Sequence, residues 1–210
     1  MCERWLENLA GREPLFVFDL DSTVTRCELL PRIAARLGMG EEMARLTERA
    51  MGEDIPFEQD FFMRAMRLKQ LPLSQAREIA AQTPLNTAIA AFLRDHREKC
   101  VIVTGNLDVW IEDLIEKLGM RGRCLCSRAH IENGQLAGIE EVLDKEKTCQ
   151  ALNAPFVAVG DGSNDARMLR MAALGIAFGG VRKPPRVLIE AADLLIEDEE
   201  ELVSLLKKLL

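Results

Sequence analysis

Hydrophobic positions along the chain fall into short apolar runs alternating with segments of helical period. The runs Leu15–Phe18, Val101–Val103, Phe156–Val159, Leu174–Phe178 and Leu194–Ile196 are brief and almost free of polar residues, which predicts strands buried on both faces of a parallel sheet. Between and after them the period changes to helical over about 107–118, 144–152, 164–172, 186–191 and 199–210, and a further helix is expected over 2–10. A short strand is expected at 123–127, and Asn133-Gly134 between apolar positions predicts a β-hairpin over 130–136. From Cys27 to His96 no strand pattern occurs. Helical segments near 27–37, 41–51, 57–69, 74–81 and 85–96 are separated by Gly38, Gly40, Gly52, Pro56, Pro72 and Pro84.

Strand–helix alternation implies right-handed crossovers and a doubly wound α/β sheet. The expected architecture is a Rossmann-like core of residues 1–24 and 97–210, interrupted by an all-helical cap over 25–96. Asp198-Glu199-Glu200-Glu201 reads as the acidic start of the last helix, where the dipole favours negative charge.

The totals narrow the function. The chain has 210 residues, 48% of them hydrophobic, and 27 Lys plus Arg against 34 Asp plus Glu give a net charge of -7. That balance argues against a general nucleic-acid binder. No signal peptide and no long apolar span is read, so a cytoplasmic protein with no membrane partner is expected. The six cysteines lack any CxxC pair and read as reduced, buried small hydrophobes. Cys124-x-Cys126 has no second pair to complete a zinc site.

Candidate chemistry sits at the carboxyl ends of two strands, the edge where open α/β sheets bind ligands. Leu15–Phe18 runs into Asp19-Leu20-Asp21-Ser22-Thr23, and Phe156–Val159 runs into Gly160-Asp161-Gly162-Ser163-Asn164-Asp165. Two acids at i and i+2 of a continuing strand would share a face and repel. A turn directly after Asp19 lets them converge on a cation instead. Two such acidic turns suggest one shared site for a divalent ion, with Mg²⁺ the natural candidate for oxygen ligands and a phosphate.

These segments, together with Thr104 after the second strand and Lys145, resemble the four motifs of the haloacid dehalogenase superfamily, in that superfamily's order. Within it the pattern is similar to phosphoserine phosphatases over nearly the whole chain, and the helical insertion resembles the superfamily's cap. The resemblance implies Asp19 as nucleophile, Asp21 as general acid and base, and Mg²⁺ held by Asp19, Asp161 and the backbone carbonyl of Asp21. It places Ser22, Thr104, Gly105, Asn106, Asn164 and Lys145 around the phosphate, with Asp165 orienting Lys145. Glu28, Met51, Phe57 and Arg64 fall at the offsets of the substrate pocket, Glu28 for an ammonium and Arg64 for a carboxylate.

Lys145 is chosen over Lys147 by periodicity: apolar Cys149 and Leu152 follow it by four and seven, whereas Lys147 gives Ala151 and Ala154. Two departures stand out. Thr104-Gly105-Asn106 replaces the usual Ser-Gly-Gly, and the interval from Lys145 to Asp161 is a few residues short. The expected partner is a small phosphorylated metabolite, acted on by a monomer or homodimer. Hydrolysis of another small phosphomonoester, phosphoryl transfer to an alcohol, and a non-catalytic binding module remain the alternatives.

Overall fold

The computed structural model describes residues 9, 11, 13–52, 57–152 and 154–210, with the side chains of 50–52 outside that description. The helix expected over 2–10, apart from Leu9, and the side chain of Met51 therefore lie outside the described residues.

Seven strands form one sheet in the order β4-β3-β2-β1-β5-β6-β7. They are β1 (Leu15–Phe18), β2 (Cys100–Leu107), β3 (Cys124–Glu132), β4 (Gln135–Glu141), β5 (Phe156–Gly160), β6 (Leu174–Phe178) and β7 (Leu194–Ile196). Every pairing is parallel except β3 with β4. That exception is the expected hairpin: Asn133 and Gly134 take positive φ of 50° and 75°, the turn whose twist matches its strands.

The central β1 shows why its run is unbroken by polar residues. Phe16 and Phe18 enter the core on one face of the sheet, and Val17 enters the core on the other. The first face is covered by α5 (Thr87–Asp95), α6 (Asp108–Lys117) and α10 (Glu199–Lys207), with Phe92 edge-on to Phe16 at 5.3 Å between ring centroids. The second face is covered by α7 (Lys145–Gln150), α8 (Ala166–Met171) and α9 (Arg186–Ile189). Asp198 caps α10, accepting from Glu200 N at 3.0 Å and Glu201 N at 2.9 Å.

The insertion after β1 contains α1 (Leu29–Ala34), α2 (Gly40–Gly52), α3 (Phe57–Met66) and α4 (Leu73–Ala81). Its two crossings to the core are tied together. Thr25 and Leu85 form an isolated antiparallel bridge, Arg26 N donates to Pro84 O at 2.8 Å, and Asn86 Nδ2 donates to Thr23 O at 2.8 Å. We place the cap between these crossings, at about residues 27–83. Helix α5, which the sequence pattern assigns to the cap, lies beyond the bridge and packs its Phe92 on the sheet.

Two strand boundaries differ from the sequence expectation. β3 continues to Glu132 instead of ending at 127. β2 runs through Thr104, Gly105 and Asn106 to Leu107, where the sequence pattern gives a strand of Val101–Val103 ending at Thr104-Gly105-Asn106. Register explains the second: Thr104 pairs with Cys126 and Leu107 with Ser127, so Gly105 and Asn106 bulge out of the ladder. A bulge re-aims side chains at a sheet edge, and here it turns this segment toward the end of β1.

Candidate active site

β1 ends at Phe18, one residue before the first acid. Asp19 N still donates to Val159 O at 2.9 Å, and the chain then coils back, with Val24 N and Thr25 N both donating to Leu20 O. The coil requires Ser22 at φ 53°, a left-handed conformation that costs a non-glycine residue about 1–2 kcal/mol. Ser22 is held there by N–H donation to Thr25 Oγ1 at 3.3 Å and by its own hydroxyl donating to Glu28 Oε1 at 3.0 Å. The two aspartates thus escape strand alternation, as the sequence requires if they are to share a site.

The turn after β5 is organised by Asp165, which is fully buried. Its Oδ2 accepts from Asp161 N at 3.1 Å and Gly162 N at 3.0 Å, and its Oδ1 accepts from Lys145 Nζ at 2.5 Å. Gly160 is obligatory because a Cβ there would stand 2.5 Å from the Asp165 carboxyl carbon. Lys145 bridges the two acidic turns, its Nζ also donating to Asp19 Oδ1 at 2.5 Å. The lysine side chain is 4% exposed, whereas that of Lys147 is 82% exposed, which agrees with the periodicity argument.

Asp19, Asp161 and Asp165 bring carboxylate oxygens within 4.8 Å of one another. Asp165 has both oxygens committed to its own turn and to Lys145, whereas Asp161 Oδ1 accepts only a 3.5 Å bond from Thr23 Oγ1 and its Oδ2 is held by Arg182, so a cation on Asp19 and Asp161 would compete with that arginine. The Asp21 carboxylate lies outside this cluster. Its Oδ2 accepts from Asn106 Nδ2 at 3.1 Å, and its Oδ1 is buried without a protein partner. Asn106 Oδ1 is likewise buried and unpartnered. Unpaired buried oxygens are costly, and two of them side by side mark a place built for something else.

Electrostatics point the same way. Burial pushes the Asp19 carboxyl up to about 7, against the opposing pull of Lys145. Burial first, then Glu28 and Asp19, raises Asp21 well above the carboxylate range. Burial raises Asp161 as well, despite Arg182. Burial works against the charge on Lys145, but Asp165 and Asp19 outweigh it and hold that amine protonated. Five carboxyl groups (Asp19, Asp21, Asp161, Asp165 and Glu28) gather with Lys145 and Arg182, while the third cation nearby, Arg64, is paired with Asp60. A buried, oxygen-only donor set short of positive charge fits a hard divalent cation.

A narrow cavity of about 50 Å³ opens over these groups. Core residues Asp19, Asp21, Thr104, Gly105, Asn106, Asp161 and Asn164 line it, and so do Glu28, Phe57 and Arg64 from the insertion. These ten expected residues share the cavity, whereas Ser22, Lys145 and Asp165 are not in its lining. The Phe57 ring lies so close over Gly105 that a Cβ there would meet its Cζ at 2.5 Å. Arg64 is buried, with Nε on Asp60 Oδ2 at 2.6 Å and Nη1 on Thr47 Oγ1 at 3.1 Å.

Arg182 escapes sequence reading. Its Nε and Nη2 both reach Asp161 Oδ2 at 2.6 Å, and its Nη2 reaches Glu28 Oε1 at 3.0 Å. The available signal is Gly179-Gly180 directly after β6, a third strand ending in a glycine turn on the same edge. Arg182 neutralises an acid that a divalent ion would also claim. Arg182→Ala is expected to tighten Mn²⁺ binding about tenfold, a 1.4 kcal/mol effect, while lowering the melting temperature of the metal-free protein. Calorimetric titration and a melting scan would check both, and unchanged Mn²⁺ affinity would count against the competition.

The family model for haloacid dehalogenase-like hydrolases matches residues 16–170, which include both acidic turns and Lys145. The chain belongs to the haloacid dehalogenase-like hydrolases. The hydrolase is 32% identical to the phosphoserine phosphatase of Methanocaldococcus jannaschii over 213 residues, covering 93% of this chain and 99% of that one. It is 34% identical to the phosphoserine phosphatase of Archaeoglobus fulgidus over 209 residues, covering 91% of this chain and spanning 58% of that longer protein. It superposes on a substrate-bound phosphoserine phosphatase with a TM-score of 0.77 at 27% identity, covering 93% of this chain and 99% of the other. A second solved structure, a phospho-aspartyl intermediate analogue of phosphoserine phosphatase, gives the same TM-score at 28% identity. Among the described residues no helix is long and apolar enough to cross a membrane.

Proposed function

We propose that this hydrolase is a Mg²⁺-dependent phosphoserine phosphatase working through an aspartyl-phosphate. The observation that carries the reading is the meeting, in one narrow cavity, of the Asp19–Asp161 pair with a buried arginine from the cap. The first is chemistry for a phosphate ester. The second is recognition of a small anionic leaving group.

Each residue then has a task. Asp19, Asp161 and the backbone carbonyl of Asp21 would hold Mg²⁺, which would screen the charge of the phosphate dianion. Thr104 Oγ1, the N–H groups of the β2 bulge and Lys145 Nζ receive the phosphoryl oxygens. Asp19 attacks phosphorus, forming its own O–P bond as the ester P–O bond breaks. Asp21, kept protonated by burial and neighbouring acids, gives its proton to the leaving serine oxygen. It then takes a proton from the water that attacks the aspartyl-phosphate, and the Asp19–phosphorus bond breaks to release phosphate.

Arg64 reads the substrate carboxylate. Arg64→Ala is expected to lower kcat/KM on phospho-L-serine about 10²-fold, the scale for losing a buried charge pair, while barely changing turnover of an aryl phosphate. Equal losses on both substrates would make Arg64 a purely structural residue.

One observation favours a second reading, hydrolysis of another small phosphomonoester. Glu28 Oε1 is already engaged by Arg182 and Ser22, leaving it less available to a substrate ammonium, and Asn106 puts a side chain where the usual motif has glycine. Steady-state kinetics on phospho-L-serine against a panel of metabolite phosphates separates the two readings.

A further inference from the structure

A second cavity of about 290 Å³ lies away from the active site, between α6 and β3. Its lining includes the apolar Ile111 and Ile115, the charged Glu112, Glu116 and Arg121, and Cys124 and Cys126. The two cysteines alternate along β3 and so share a face of the sheet. Both side chains line the same cavity.

We propose that Cys124 and Cys126 form a binding site for a soft ion held through two sulfurs, and that its occupancy is felt at the phosphate-binding bulge of β2. Paired thiols select thiophilic ions. A disulfide is the poorer alternative, because Cβ atoms two residues apart on a strand are separated by roughly 6–7 Å, against about 3.8 Å in a relaxed disulfide. A bridging ion spans sulfurs that a direct S–S bond does not reach.

The path to the active site is short. Cys126 pairs with Thr104 in the β3–β2 ladder. The next residue, Ser127, is fully buried, and its hydroxyl donates to Gly105 O at 2.7 Å while accepting from Leu143 N at 2.9 Å. A shift of β3 at Cys126 is thus delivered by one hydrogen bond to the bulge that carries Gly105 and Asn106.

Phenylarsine oxide is a suitable probe. Two As–S bonds form, the two thiol protons leave with the oxide oxygen as one water, and arsenic stays trivalent. The reduced full chain is expected to take up one equivalent that survives excess monothiol and is removed by a dithiol. Cd²⁺, which would release the two thiol protons to buffer, is expected to compete for the same site. Cys124→Ser and Cys126→Ser should each lose the stable adduct, and Cys27→Ser should keep it. In the wild type the adduct should lower aryl phosphate turnover about fivefold, within the range of coupling through packed networks. A stable adduct on the Cys124→Ser/Cys126→Ser protein, its removal by monothiol, an absence of Cd²⁺ competition, or full turnover with the adduct in place would each overturn the proposal. Adduct stoichiometry does not depend on the substrate, so its failure is distinguishable from failure of the phosphoserine reading.

Discussion

Asp19→Asn is expected to reduce kcat by a factor on the order of 10⁴–10⁶, the cost of removing a covalent nucleophile from an otherwise intact site. The amide keeps the shape of the carboxyl group and can still accept from Lys145, but it cannot attack phosphorus. Stability should not follow activity. Burial raises Asp19 to about 7, so its charge is costly to the fold, and Lys145 retains Asp165 as a partner. The melting temperature of the metal-free variant should therefore equal or exceed that of the wild type. Rapid-quench detection of phosphoprotein supplies the decisive check: wild type should trap label on Asp19, and the variant none. Label trapped on the Asp19→Asn protein, or near-normal turnover by it, would remove Asp19 from the chemistry.

Lys145→Met should be damaging in both respects. Its ammonium is the shared counter-ion of Asp19 and Asp165, and all three groups are buried. Removing one partner of a buried ion pair costs about 3–5 kcal/mol because the other charge is stranded. Denaturant titration should show that loss, with turnover falling by several powers of ten as the phosphoryl oxygens lose their cation. The double variant Lys145→Met/Asp165→Asn separates the effects. It should recover part of the stability, since one stranded carboxylate is gone, but none of the activity. A double mutant no more stable than Lys145→Met would mean that the lysine acts by packing rather than by charge.

What can be read from the sequence depends on whether the signal is local. Apolar runs ending in Asp19 and Asp161 identify two strands and their functional edge, because a strand buried on both faces leaves little choice of residue. Helical period separates Lys145 from Lys147 once the resemblance has pointed to a lysine there. Bulges and crossings are not recoverable, since they arise from pairing between distant segments. Gly105 and Asn106 leave the ladder in the register that β2 and β3 adopt together, and α5 is set apart from the cap by a bridge between Thr25 and Leu85, far apart in sequence. Arg182 is hidden for the same reason. Its partners Asp161 and Glu28 are remote in sequence, and a lone arginine after a glycine turn carries no spacing to betray it.

The Thr25–Leu85 bridge has an evolutionary consequence. Since the chain departs and returns at neighbouring points, a module of another size or shape can be exchanged there without moving any strand. Selectivity and bond-breaking can then diversify independently on one scaffold, which suits a lineage that must meet many metabolites with a single reaction.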